Sequence, residues 1–198
     1  MEMKPEKKEE QRTGQREIQN RNQDIDQNTD QNTEPGVALT IRTASPFDLD
    51  AVTQVEAVCF PAAEAAGRES FQGRLEHFPD SFLVAEMGGK VIGFINGAVT
   101  NERTIRDEMF EDSSLHDPMG AYQSVFGLNV LPEYRNHGVA AKLMEALIRS
   151  ARDHGRKGMI LTCKDRLIHY YEKFGYVNQG VSASVHGGAV WYDMILEF

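Results

Sequence analysis

Residues 124–155, SVFGLNVLPEYRNHGVAAKLMEALIRSARDHG, constrain the fold most, because the hydrophobic period changes part-way along them. Residues 124–130 form a short apolar-rich run with Val125, Phe126, Leu128 and Val130, which predicts a strand. Pro132 has no backbone N–H to donate, so that strand ends by Leu131. From Val139 the apolar residues recur every four positions, as Val139, Leu143, Leu147 and Ala151, with Ala140, Met144 and Ile148 beside them. Lys142, Glu145, Arg149, Arg152 and Asp153 take the other face. This is the pattern of an amphipathic helix of about four turns, with Gly155 as its stop.

The junction has the chemistry of an anion seat. The first amides of a helix lack internal partners, and the helix dipole favours negative charge there. Within Arg135-Asn136-His137-Gly138-Val139-Ala140, Gly138 lets the backbone approach a ligand closely. Ala140 keeps the next turn small, and Arg135 adds a cation. No Gly-Lys-Ser/Thr follows and there is no GxGxxG, so the turn is neither a Walker loop nor a dinucleotide fingerprint. The alternative is a tight strand–helix turn with a solvent-exposed arginine.

Arg135 to Ala140 resembles the R/Q-x-x-G-x-G/A motif of the GCN5-related N-acetyltransferases, the GNAT family. Residues 163–176, CKDRLIHYYEKFGY, are similar to the family's late helix, whose Tyr-x-x-x-Gly-Phe/Tyr ending is here Tyr171, Gly175 and Tyr176. The resemblance covers residues 37–198, and 56–61, 101–116 and 163–176 look most like the arylalkylamine (serotonin-type) members. It implies an α/β fold: a mixed, mostly antiparallel sheet flanked by helices. The splayed central strands, 124–130 and 159–162, would take acetyl-CoA between them.

The resemblance also implies roles. Arg135, Asn136, His137, Gly138, Val139 and Ala140 would hold the pyrophosphate. Backbone groups of Leu128, Asn129 and Val130 would pair with the pantetheine arm, and the amide of Leu128 or its neighbour would stabilise the oxyanion. Tyr171 would protonate the departing thiolate; the competing reading is a core tyrosine beside Tyr170 and Tyr176. Phe60 and Pro61 would line the amine pocket beneath a lid; the competing reading is that Phe60 packs the end of the first helix. The chain departs from the family at Ser124 and Phe126, which stand where a His or Glu base is often found. The base therefore lies elsewhere, for instance on the insertion 101–123, or water chains carry the proton. Of the six histidines, only His116 is placed where an active-site role is conceivable.

Composition bounds the rest. A chain of 198 residues allows one domain with a tail. Residues 1–36 are polar, without an aromatic residue and with a DQNTDQNTE repeat, so they are expected to be disordered, with the domain at 37–198. Two cysteines make no disulfide framework and suit a reducing compartment, hence an expected cytoplasmic protein. The start MEMKPEKKEEQ has no leader-like apolar core, and no run is long enough for a membrane helix. The net charge of −9 argues against a nucleic-acid partner and suits a cationic one. No His/Cys/Asp cluster has metal-ligand spacing, so no metal is expected.

Leu49, Val52, Val55 and Cys59 give the apolar stripe of a first helix that starts at Ser45-Pro46 and stops at Phe60-Pro61. Strands at 81–87 and 90–100 meet at Gly88-Gly89, and a final antiparallel pair is expected at 176–184 and 189–196. Three functions follow from the resemblance: acetyl transfer from acetyl-CoA to a small-molecule amine (an aryl- or alkylamine, or polyamine-like), transfer to a protein N-terminus or lysine, and non-catalytic acyl-CoA binding. The expected state is a monomer or homodimer.

Overall fold

The computed structural model describes residues 38–198; the segment 1–36, with its expected disorder, lies outside the described residues. The elements are β1 (Leu39–Thr43), α1 (Leu49–Cys59), α2 (Arg68–His77), β2 (Phe82–Met87), β3 (Lys90–Asn96), β4 (Val99–Thr100), α3 (Glu108–Glu111), β5 (Tyr122–Val125), β6 (Gly127–Val130), α4 (Val139–Asp153), β7 (Gly158–Cys163), α5 (Ile168–Glu172), β8 (Val177–Val181) and β9 (Tyr192–Glu197). They form two sheets, ordered β1-β2-β3-β6 and β4-β5-β7-β9-β8. Every pairing is antiparallel except that of β5 with β7.

The expected strand 124–130 is broken at Phe126, and the expected strand 90–100 is broken at Gly97-Ala98. Both breaks have one cause. The two runs lie antiparallel, and each passes from one sheet to the other at the same level. Ser124 N donates to Ala98 O and Phe126 N to Asn96 O, both at 2.8 Å. Beyond that point Gly127 pairs with Asn96 and Leu128 with Ile95, so residues 126 and 127 both oppose Asn96. One extra residue in one strand is a β-bulge. At Gly97 a Cβ would lie 2.0 Å from Ser124 O, so the crossing requires glycine there.

Helices cover both faces. Leu83 and Ala85 of β2 point to a core with Val139, Leu143, Met144, Leu147 and Ala151 of α4. The alternate residues, Phe82 and Val84, point to a second core with Val52 and Val55 of α1 and Phe71 and Leu75 of α2. A strand buried on both faces reads as a continuous apolar run, as FLVA does. Leu143, Met144 and Leu147 of α4 are fully buried, each worth roughly 1.5–3 kcal/mol.

Ser45-Pro46, the expected helix start, opens a 3-10 turn at Pro46–Asp48 that leads into α1 at Leu49. Ser45 N donates to Asp48 Oδ2 at 2.8 Å, and Arg42 grips both oxygens of Asp48 at 2.8 Å while its Nη2 reaches Glu86 Oε2 at 2.6 Å. The Arg42 guanidinium holds the Asp48 carboxyl down at about 2. The long polar insertion is ordered around α3. Asp107 accepts from Ser184 Oγ and from Val185 N, tying it to the β8–β9 connection.

Candidate active site

The two sheets part below the bulge. Strand β6 pairs only with β3, and β7 pairs with β5 and β9, so β6 and β7 diverge. A cavity of about 520 Å³ fills the gap, lined on one side by Gly127 and Leu128 and on the other by Leu161, Thr162 and Cys163. Phe60, Pro61 and Tyr171 line it as well, so four residues singled out in the sequence converge there: Phe60, Pro61, Leu128 and Tyr171.

Backbone parity orients β6. Leu131 N donates to Ile92 O at 2.9 Å, so residues 127, 129 and 131 exchange hydrogen bonds with β3. The amide of Leu128 therefore turns away from β3, towards the cleft. The backbone of Asn129 turns the other way, so pairing of Asn129 with a pantetheine arm, expected from the sequence, is not offered by its main chain. The side chain of Asn129 instead donates to Glu56 Oε2. Val130 O faces the cleft side and accepts from Arg135 Nε at 2.9 Å and from Cys59 Sγ at 3.4 Å.

Arg135 to Ala140 forms the turn into α4. Asn136 at φ 64° and Gly138 at φ 76° are left-handed. Lys142 N to Gly138 O, at 3.0 Å, is the first helical bond, which leaves the amides before it free. Arg135, Asn136, His137 and Gly138 are exposed, while Val139 is buried in the core. A Cβ on Gly138 would meet nothing within 4 Å, so the space before the helix end is open to a ligand. These residues fit the phosphates of a coenzyme A thioester: free amides, a helix N-terminus, a nearby cation and open approach.

Tyr171 is 9 % exposed, and its hydroxyl has no hydrogen-bond partner among the described residues. Burial pushes its phenol up, as do Cys163 and Tyr170 beside it, so it stays protonated. Burial likewise raises the Cys163 thiol to about 11, leaving a small apolar residue. Ser124 gives its hydroxyl to Ala98 O at 2.7 Å, and the Phe126 ring stacks on Phe110 at 5.1 Å. Neither is a base.

The cavity holds groups that the sequence reading did not single out. Glu56 of α1 is buried, with Oε1 accepting from Ala66 N at 2.9 Å and Oε2 from Asn129. Burial raises its carboxyl, against the opposing pull of the Ala66 amide and of Arg74. Arg74 is buried beside it, bonded to Asn96 Oδ1 at 3.2 Å and Phe110 O at 2.9 Å; burial lowers it to about 10. His186, in the turn between the expected strands 176–184 and 189–196, lines the cavity with Trp191, Phe110 and Glu64. His116 lies elsewhere. Its Nδ1 accepts from Val99 N at 3.0 Å, its ring packs on Phe78, and burial lowers its pKa. Among the described residues no group of three His, Cys, Asp or Glu could hold a metal, and no helix is long and apolar enough to cross a membrane.

A split sheet with a cavity between diverging strands, a bulge beside it and a glycine-led helix N-terminus following the bulged strand is the architecture the comparisons with known proteins match. Residues 49–176 match the acetyltransferase (GNAT) family, and the chain belongs to that family. It is 32 % identical over 109 residues to acetyltransferase SG1711 of Sodalis glossinidius, covering 54 % of this chain and 63 % of that one. It is 28 % identical over 173 residues to the probable hydrolase YhcX of Bacillus subtilis, covering 81 % of this chain and 32 % of that protein. The chain thus spans less than two thirds of either relative. Among solved structures, the GphF GNAT-like decarboxylase in complex with isobutyryl-CoA superposes with a TM-score of 0.70 at 25 % identity, covering 80 % of this chain and 98 % of that one.

Proposed function

We propose that the protein transfers an acetyl group from acetyl-CoA to the primary amine of a small molecule, an aryl- or alkylamine or a polyamine-like compound. Membership of the family supports acyl transfer from a coenzyme A thioester. The observation that carries the amine acceptor is Glu56, a buried carboxylate in the cavity, held through Asn129 beside the cleft-facing amide of Leu128. It supplies the base that Ser124 and Phe126 cannot.

The turn from Arg135 to Ala140 holds the pyrophosphate, and Leu128 and Val130 present the strand edge along which the pantetheine arm lies. The amine nitrogen loses a proton to Glu56 and attacks the thioester carbonyl. The oxyanion that forms is stabilised by Leu128 N–H. When the carbon–sulfur bond breaks, the thiolate takes the proton of the Tyr171 hydroxyl, and the remaining surplus proton of the acylated nitrogen passes back to the Tyr171 oxygen, restoring the phenol. The aromatic lining of Phe60, Phe110 and Trp191 supports an arylalkylamine-like pocket. Glu64 and Lys164, both in the lining, are joined at 2.7 Å, and this tie across the lining supports a small acceptor.

A second reading has one specific observation behind it. The likeness to GphF and the buried guanidinium of Arg74 suit loss of carbon dioxide from a 2-carboxyacyl-CoA, whose carboxylate Arg74 would face. One experiment separates them. Free thiol is measured with acetyl-CoA against a panel of amines and peptides, and carbon dioxide with a 2-carboxyacyl-CoA. Amine-dependent thiol release is expected, lost at low pH as Glu56 protonates and lost at all pH in Glu56→Gln. Carbon dioxide without amine-dependent thiol would establish the second reading, and transfer only to peptides would move the acceptor to proteins.

A further inference from the structure

We propose that the acceptor carries a second cationic nitrogen, received by Glu64 on the wall opposite Glu56, so that the cavity selects diamines over monoamines; this rests on the cavity being the acceptor site. Glu64 lies between α1 and α2, with a side chain only 9 % exposed. Its Oε1 accepts from Lys164 Nζ at 2.7 Å. Its Oε2 is buried and has no hydrogen-bond partner among the described residues. A buried carboxylate oxygen without a donor is unfavourable, and the group that relieves it best is a cation with N–H to give.

The surroundings show which cation fits. Lys164 places a primary ammonium against Glu64 and 5.5 Å from the centre of the Trp191 ring, the combination of carboxylate and indole face that receives an ammonium. Trp191 is fixed for this, since its Nε1 donates to His186 O at 2.9 Å. The main chain of Glu64 is fixed too. Its carbonyl accepts from His186 Nε2 at 3.2 Å, and a Cβ on Gly187 would lie 2.5 Å from Glu64 Cγ. The β8–β9 connection is therefore pressed against the stem of this carboxylate.

The two carboxylates belong to different walls. Glu56 is tied to β6 through Asn129, and Glu64 to the end of β7 through Lys164. The nitrogen that is acylated must be neutral and close to Leu128, which assigns it to Glu56. A monoamine leaves Glu64 Oε2 as it is; a diamine supplies both carboxylates. Lys164 already balances one charge at Glu64, so the seat takes a single ammonium and not a cluster.

The test uses the full chain and α,ω-diamines paired with monoamines of equal chain length. kcat and KM are measured at saturating acetyl-CoA, and amine binding to the coenzyme A-loaded protein is measured by calorimetry. The diamine is expected to have the lower KM, and Glu64→Gln to raise it roughly 10- to 100-fold, the effect of losing one charge-assisted hydrogen bond. Lys164→Met removes the competing ammonium and is expected to lower the diamine KM, a change of opposite sign that does not depend on Glu64→Gln folding well. Equal KM for diamine and monoamine in the wild type, or equal losses for both in Glu64→Gln, would overturn the proposal while leaving acetyl transfer intact. Calorimetric binding of the diamine that Glu64→Gln abolishes, without any thiol release, would support the seat and overturn transfer instead.

Discussion

Tyr171 shows how much one side chain asks of its surroundings. Its phenol is buried, raised and free to donate into the cavity. Tyr171→Phe removes a hydroxyl and little volume, so coenzyme A affinity by calorimetry is expected to persist. Turnover should fall roughly 10²- to 10⁴-fold, the range for a positioned acid, in kcat more than KM. The loss should shrink with acyl donors whose thiols are more acidic, and an unchanged kcat would reduce Tyr171 to a packing residue. Tyr171 was legible because it stands four residues before Gly175. Glu56 was not, because its significance comes from Asn129, 73 positions along the chain. The signal was there in part. Position 56 falls on the inner side of α1, next to Val52, Val55 and Cys59, and a carboxylate on that side is buried by the geometry of the helix.

At the scale of elements, α4 and its entry turn were legible, since a four-residue apolar repeat behind a glycine admits few alternatives. The break at Phe126 was not, because alternation of side chains along 124–130 looks the same whether or not the strand changes partners. Gly138 connects the element to the proposed pyrophosphate seat. Gly138→Glu sets a charged side chain in the open space before the helix, and Gly138→Ala adds the same left-handed backbone strain, about 1 kcal/mol, without the charge. Both are expected to keep a folded circular dichroism spectrum. Acetyl-CoA binding by calorimetry should vanish in the first and largely survive in the second; retention in Gly138→Glu would exclude the turn as the pyrophosphate seat.

For the molecule as a whole, the Arg42–Asp48–Glu86 cluster links β1, β2 and the start of α1. Asp48 has a folded pKa of about 2, below its usual 3.8. Its contribution is therefore present above the unfolded carboxylate value and is lost as pH falls from about 4 towards about 2. Arg42 is partly exposed, and solvent screening reduces the gain to about 1–2 kcal/mol. Asp48→Asn should lower the melting temperature by roughly 2–8 °C at neutral pH. The gap from wild type should close on acidification, and a gap that holds constant to acid would place the effect outside ionisation.

The bulge at Phe126 behaves like a shifted reading frame. Upstream, the hydrogen-bonding residues of this run are even-numbered, Ser124 and Phe126; downstream they are odd-numbered. Deleting Phe126 would restore a single frame. The run could then pair along its whole length with 92–98; the amide of Leu128 would still face away from that partner, but its edge could continue the pairing of β5 with β7 and close the gap. Such a chain is expected to keep its helices and both cores while losing acetyl-CoA affinity in calorimetry, because one surplus residue decides whether the strand has a free edge for the cosubstrate at all.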